Sequence, residues 1–244
     1  MTTIAAVGDV HMDADVVGRY RPTLDGIAEC ADLLLLAGDL TRHGTPDEAS
    51  CVAAEFGGLA VPVVAVLGNH DHHAGQQDEV SRILTEAGIT VLEGSGVVIE
   101  CDGVRVGVGG VKGFGGGFAG RCATAFGEDL VKAFVRETER SADALRVALD
   151  ELDCDLRVAL THYAPIPETL VGEPLEIYPF LGSYQLGEAI DRAGCAIAVH
   201  GHAHYGSPTG ATPGGVAVRN VAYPVIQQVF ALFSVSPAVV SSTP

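Results

Sequence analysis

Short runs of apolar residues alternate along the chain with segments of helical period. The runs Ile4–Val7, Leu33–Ala37, Val63–Leu67, Val104–Val108, Leu156–Leu160 and Ala196–Val199 are largely uninterrupted rather than alternating. That is the pattern of strands whose two faces are both covered by other elements. Helical period falls between them, at about 19–30, 46–58, 76–87, 127–152 and 183–194. The early units therefore read as strand–helix–strand crossovers, which favour a parallel sheet. Val97–Glu100, followed by Cys101, Asp102, Gly103 and Val104, reads as a hairpin and makes the sheet mixed. The whole reads as one α/β domain over 1–234, with a C-terminal tail at 235–244.

Two segments resist assignment. Gly109–Gly127 (GGVKGFGGGFAGRCATAFG) is rich in glycine, and Tyr163–Gly182 carries several prolines. Both follow apolar runs, and long irregular loops inside a compact domain are often functional. The apolar stretch Val225–Phe233 reads either as a core strand or as a contact between copies of the chain.

Composition narrows the class. The chain has 244 residues, 48% of them apolar, which is ample for a buried core and excludes wholesale disorder. No apolar run approaches the roughly 20 residues needed to cross a bilayer. The opening MTTIAAVGDV lacks a basic region and leads straight into a strand, so the expected compartment is the cytoplasm. Six cysteines without a C-x-x-C pair read as thiols rather than as a disulfide framework or a zinc–thiolate site. The formal charge is −17, and Lys112 and Lys132 are the two lysines. Such a surface disfavours sequence-independent binding along a nucleic acid. A small phosphorylated substrate, including a nucleotide, is still allowed, because bound metal ions reverse the sign locally.

Metal-capable residues sit where the apolar runs end. Asp9 and His11 follow the first run, Asp39 the second, Asn69 and His70 the third. His162 follows Leu156–Leu160, and His202 and His204 follow Ala196–Val199. Residues two apart in an extended segment point to one side, so the D-x-H and H-x-H pairs can each reach a single point. Taken singly, each has a plainer reading. An Asp after a strand caps a turn, a His braces a core, and the glycines before Asp39, Asn69 and His202 make tight turns. Agreement of five strand ends is what those readings leave unexplained, since open α/β sheets bind ligands beyond the carboxyl ends of their strands.

GDVH, GDL, GNHD, a separate TH and GHAH, in that order over residues 8–204, resemble the calcineurin-like metallophosphoesterases. The resemblance implies a four-layer α/β/β/α sandwich of mixed sheets flanked by helices, with a binuclear metal site between the sheets. By position, Asp9, His11 and His204 would hold one metal, Asn69, His162 and His202 the other, and Asp39 would bridge them. Imidazole, carboxylate and amide together suit manganese, iron or zinc better than magnesium or calcium. A hydroxide bridging two such ions would attack phosphorus in line with the leaving oxygen. In the family the position of His70 stabilises the phosphoryl group or protonates the leaving oxygen, with the next carboxylate, here Asp71, orienting it. The alternative is that His70 and Asp71 only brace the turn holding Asn69.

Among the other histidines, His200 reads as either a support for the ligands or a purely structural residue. His43, His72 and His73 read as exposed loop residues, and Arg42 as a surface arginine. GDLTRHG and GNHD depart from the protein-phosphatase wording, and no extra domain or basic surface supports a repair nuclease. The implied activity is hydrolysis of a phosphodiester or a phosphomonoester. The diester is favoured by closeness of motif wording to the phosphodiesterase branches. A non-catalytic scaffold of the same fold is the alternative from another class.

Overall fold

Burial of both faces is what makes the apolar runs strands. A computed structural model of the chain describes residues 1–237. In it β1 (Thr2–Val7), β2 (Leu33–Ala37), β3 (Val63–Val66) and β4 (Ile89–Val91) run parallel. A second sheet takes β5 (Ser95–Cys101), β6 (Val104–Val111), β9 (Leu156–Thr161), β10 (Ile197–His200), β11 (Thr209–Ala211) and β12 (Ala217–Asn220). Its order is β11-β12-β10-β9-β6-β5, antiparallel only at the two edges. β7 (Gly117–Phe118) and β8 (Arg121–Cys122) form a small ribbon within the glycine-rich segment, and β13 (Ala231–Val235) completes the first sheet antiparallel to β1.

Side-chain alternation along single strands generates the layers. Ile4, Leu33, Leu35 and Val64 point toward the second sheet and meet Val106, Val158 and Val199. Ala5, Val7, Leu34 and Leu36 point the other way, into a cluster completed by α2 (Pro46–Phe56) and α3 (Gln77–Glu86). On the far side of the second sheet, Ala159 and Ala198 pack with α4 (Asp129–Asp150) and α6 (Tyr184–Ala193). The result is the expected α/β/β/α sandwich. Local signals agree with it. Thr45 and Glu48 close a reciprocal capping box at α2. In the hairpin, Cys101 pairs with Val104 across Asp102 and Gly103, at φ 48 and 79. Both loop residues take the positive φ that a tight right-twisted hairpin needs, which is why Asp-Gly serves there.

The single helix expected at 19–30 is not formed. The segment gives α1 (Arg21–Leu24) and a 3-10 turn at Ile27–Glu29, separated by Asp25 and Gly26. The chain leaves helical geometry at Gly26, with φ −98 and ψ 9. The buried Glu55 carboxylate accepts the backbone N–H groups of Gly18, Tyr20 and Arg21, which a helix beginning at 19 leaves unpaired. Within Val225–Phe233, the chain finishes the one-turn helix α7 (Tyr223–Ile226) and then begins β13, so this stretch supplies a sheet strand. α5 (Tyr178–Leu181) is a further single turn, inside the proline-bearing segment. The expected tail 235–244 begins on the last residue of β13, and 238–244 lie outside the described residues. Among the described residues no helix is long and apolar enough to cross a membrane.

Leu35 is fully buried between the sheets. Leu35→Ala should destabilise the protein by about 2–5 kcal/mol. The measurement is a urea titration, in which the midpoint falls while the slope is unchanged.

Candidate metal centre

The turns beyond the strand ends are strained in a consistent way. Asp9 and His11 after β1, Asp39 after β2 and His202 after β10 have φ of 56, 42, 49 and 70. These are four of the six non-glycine residues with positive φ among those described. Each left-handed non-glycine residue costs on the order of 1–3 kcal/mol and persists only where its surroundings impose it. Asp9 and His11 therefore do not converge by sharing a face of an extended strand. The chain has already turned, and its left-handed steps bring both side chains to the crevice.

Two neighbouring backbones come unusually close. A Cβ on Gly68 would lie 2.1 Å from Asp39 Oδ1, and one on Gly201 would lie 2.3 Å from Asp9 Oδ2. The glycines that look like turn residues are thus also positions with no room for a side chain beside a carboxylate.

The structure gathers the candidate ligands. His204 Nε2 lies 2.8 Å from Asp9 Oδ1, and the His202 amide donates to the same carboxylate at 2.9 and 3.1 Å. His162 Nε2 lies 3.3 Å from Asp39 Oδ1 and 3.0 Å from Asn69 Oδ1. His11 Nε2 and His70 Nε2 each lie 4.0 Å from Asp39 Oδ2. Asp9, His11 and His204 bring one ligand atom each within 4.8 Å of the others, as do Asp39, His162 and His202, and His11, Asp39 and His70. Asp39 belongs to two of these groups.

Backbone carbonyls set which ring nitrogen faces inward. His162 Nδ1 donates to the Ala37 carbonyl at 2.9 Å, which aims Nε2 at Asp39 and Asn69. His202 uses Nε2 on the Phe180 carbonyl at 3.3 Å, which frees Nδ1. His11 Nε2 is buried without any hydrogen-bond partner. An orphaned buried imidazole nitrogen beside two buried carboxylates is a donor set that a transition-metal cation completes.

Electrostatics reflect the crowding. Burial would lower the pKa of His162, but the Asp39 carboxylate beside it dominates, and the imidazole is pushed up to about 9. Burial would raise Asp39, yet His162 and the His70 amide hold it well below the usual carboxylate range. His202 is pushed down to about 3 by burial and then by His162. His204 is raised by its hydrogen bond to Asp9.

The other candidates fall in distinct places. Asp71 is fully buried and accepts from Thr41 N at 2.7 Å, Thr41 Oγ1 at 2.5 Å, Gly68 N at 2.7 Å and Leu40 N at 3.2 Å. It ties the turn of Asp39 to the turn of Asn69. The Nδ1 partner of His70 is the Arg42 carbonyl at 2.7 Å, not Asp71. His200 is fully buried, bonded to the Gly201 carbonyl and the Thr169 hydroxyl, outside the ligand groups. His43 and His73 are exposed, but His72 is half-buried with an unpartnered Nε2, because the chain folds back after Asn69. Arg42 is fixed by Asp13 at 3.0 Å and Asp15 at 2.8 Å. The carbonyls of Ala37, Arg42 and Phe180, which orient three imidazoles, carry no side-chain signal in the sequence. Asp13, His43 and Glu48 form a separate group, but Arg42 and the helix cap already engage its carboxylates.

Comparisons with known proteins bear on the family and the fold. A family profile described as calcineurin-like phosphoesterase matches residues 2–206. No curated protein sequence matches the chain. Phosphopantetheinyl hydrolase from Mycobacterium tuberculosis superposes with a TM-score of 0.64 at 18% identity, over 90% of this chain and 88% of that one. A putative 5'-nucleotidase from Staphylococcus aureus gives 0.59 at 16% identity, over 98% of this chain and 55% of the other. The anchor of the Plasmodium inner membrane complex gives 0.56 at 11% identity, over 91% and 72%. At these identities the likeness is one of fold.

Two outcomes follow from the geometry. Gly68→Ala should push Asp39 aside and weaken metal binding by at least about 10–100-fold, read by direct metal titration. In metal-free protein the His162–Asp39 attraction stabilises the fold fully below the unfolded histidine pKa of about 6.5, and is lost as pH rises through about 9. At neutral pH His162 therefore holds a proton that a metal bound there would displace. Calorimetry in buffers of different ionisation enthalpy should show proton release on metal binding, with apparent affinity rising toward pH 9.

Proposed function

The chain belongs to the calcineurin-like phosphoesterase family, and on that premise we propose that it hydrolyses a phosphodiester or phosphomonoester bond at a binuclear metal centre. The ligands in this reading are Asp9, His11, Asp39, Asn69, His162, His202 and His204. The observation that carries it is Asp39, whose carboxylate is common to two groups of ligand atoms while Asp9 anchors a third. Two divalent ions of manganese, iron or zinc, when bound there, would neutralise phosphoryl charge and make water nucleophilic near neutral pH.

The chain's own residues supply the rest. His70 is the most open of the imidazoles facing Asp39, and its Nδ1–H is tied to the Arg42 carbonyl. Its Nε2 is thereby left to hold the proton that the leaving oxygen takes up. Asp71 acts through the turns it binds together, keeping Asp39 and Asn69 in register, and is a positioning residue. The acidic surface favours a small phosphorylated substrate, such as a nucleotide, over a polyanion. The GNHD wording at 68–71 leans toward diesters. Retention of every candidate ligand argues against a scaffold, even though the anchor protein shares the fold.

With manganese, the purified protein should cleave p-nitrophenyl phosphate or bis-p-nitrophenyl phosphate, and a chelator should abolish turnover. Asp39→Asn and His162→Ala should each lose more than about 100-fold, since even residues behind the ligands are worth 10–100-fold. His70→Ala should lower kcat by about 100-fold or more with two metals still bound. A protein that binds fewer than two metals and cleaves neither ester would favour the scaffold.

A further inference from the structure

β6 is a parallel strand of the second sheet whose end supplies no candidate ligand. Its alternation is readable residue by residue. Val106 and Val108 face the first sheet, and a Cβ on Gly109 would meet Leu149 of α4. A Cβ on Gly110 would meet Val66 of the first sheet and Leu92 just after β4, and Val111 faces outward again. The next residue, Lys112, therefore turns inward just beyond the strand end, toward the crevice.

Its surroundings agree. The Lys112 carbonyl accepts the amides of His162 and Tyr163, each at 3.0 Å, so its backbone is pinned to that of a ligand. Its ammonium lies 5.3 Å from the centre of the Phe114 ring and 5.4 Å from that of Tyr163. Tyr163 in turn lies 4.4 Å from the His202 ring and 5.6 Å from that of His162. One ring thus separates the ammonium from the imidazoles of the second ligand group. Nζ donates to the Gly113 carbonyl at 3.2 Å, which leaves donors to spare on a group that has three. Among the described residues no carboxylate pairs directly with it; Glu93, Glu137 and Asp39 act on it only as more distant charges. Arg42, by contrast, is held by two carboxylates. The Lys112 charge is also felt at His72, whose buried Nε2 has no partner.

A half-buried lysine with acidic groups near it but none in direct contact keeps donors free for an anionic oxygen. We propose that Lys112 binds an anionic oxygen of the substrate's phosphate, on the side of the centre formed by His162 and Asn69. This rests on the phosphoesterase reading above and assigns that site a determinant of substrate charge. A monoester dianion presents twice the charge of a diester monoanion, so the lysine should act more strongly on the monoester.

The test compares Lys112→Met, which keeps the apolar stem against Phe114 and Tyr163, with Lys112→Arg. The probe is inorganic phosphate titrated into manganese-loaded protein. Lys112→Met should weaken phosphate binding about 10-fold or more, the scale of one charge-assisted hydrogen bond. Lys112→Arg should retain most of it. Bound metal and unfolding midpoint should match the unsubstituted protein in both variants. In turnover, Lys112→Met should raise KM for the monoester several-fold more than for the diester. Phosphate binding unchanged in Lys112→Met, or an equal loss on both esters, overturns the proposal while leaving the phosphoesterase reading intact. Unsubstituted protein that binds no phosphate and cleaves neither ester overturns that reading, and the role of Lys112 with it.

Discussion

Two carboxylates, Asp9 and Asp39, stand almost out of water at the ends of adjacent parallel strands, 2% and 1% exposed. Unpaired charges in such a place are expensive, and the surrounding structure is arranged to meet that cost. His204 and the His202 amide serve Asp9, while His162 and the His70 amide serve Asp39. Backbone strain at Asp9, His11, Asp39 and His202 is concentrated where these partners must converge. Two sheets packed face to face make that convergence possible, because the residues near the carboxylates come from the ends of both.

The partners do not fully compensate the charges. His11 keeps a buried nitrogen with nothing to bind, and Asp39 is shared between ligand groups. The same crowding that raises His162 and depresses Asp39 is what divalent cations would relieve. Attraction between the protonated imidazole and the carboxylate is therefore a metal-free substitute for coordination. An acidic surface and the phosphate-binding centre proposed above are compatible for the same reason, since cations held by the cluster would set the local charge, not the total of −17.

Asp71 shows how rigid such a centre has to be. Its four hydrogen bonds join Leu40 and Thr41, after one strand, to Gly68, after the next, so Asp39 and Asn69 cannot drift independently. Burial, with the neighbouring Asp39 charge, pushes its pKa up to about 6, and its donors work against that rise. A carboxylate adjacent in sequence to His70 thus serves the turns, and a backbone carbonyl orients the imidazole instead.

Strand identity and the set of metal-capable side chains were legible in the sequence, because a run such as LLLLA has one low-energy fate when both faces can be covered, and because Asp and His after five such runs are local features. The runs themselves suggest one mixed sheet, and only the resemblance implies two. The break of the 19–30 segment at Gly26 was not legible, nor was the anchoring of its start by Glu55 from 34 to 37 residues away. Nor could the sequence show that Asp9 and His11 converge through left-handed turns, that Gly68 makes way for Asp39, or that carbonyls of Ala37, Arg42 and Phe180 choose the imidazole tautomers. Lys112 lay inside a glycine-rich stretch that no period could order, and only the packing of Gly109, Gly110 and Val111 gives its side chain a direction. Periodicity records what a residue's own element requires. Contacts between elements distant in the chain decide how backbones approach, which groups are desolvated, and so which chemistry the side chains can perform.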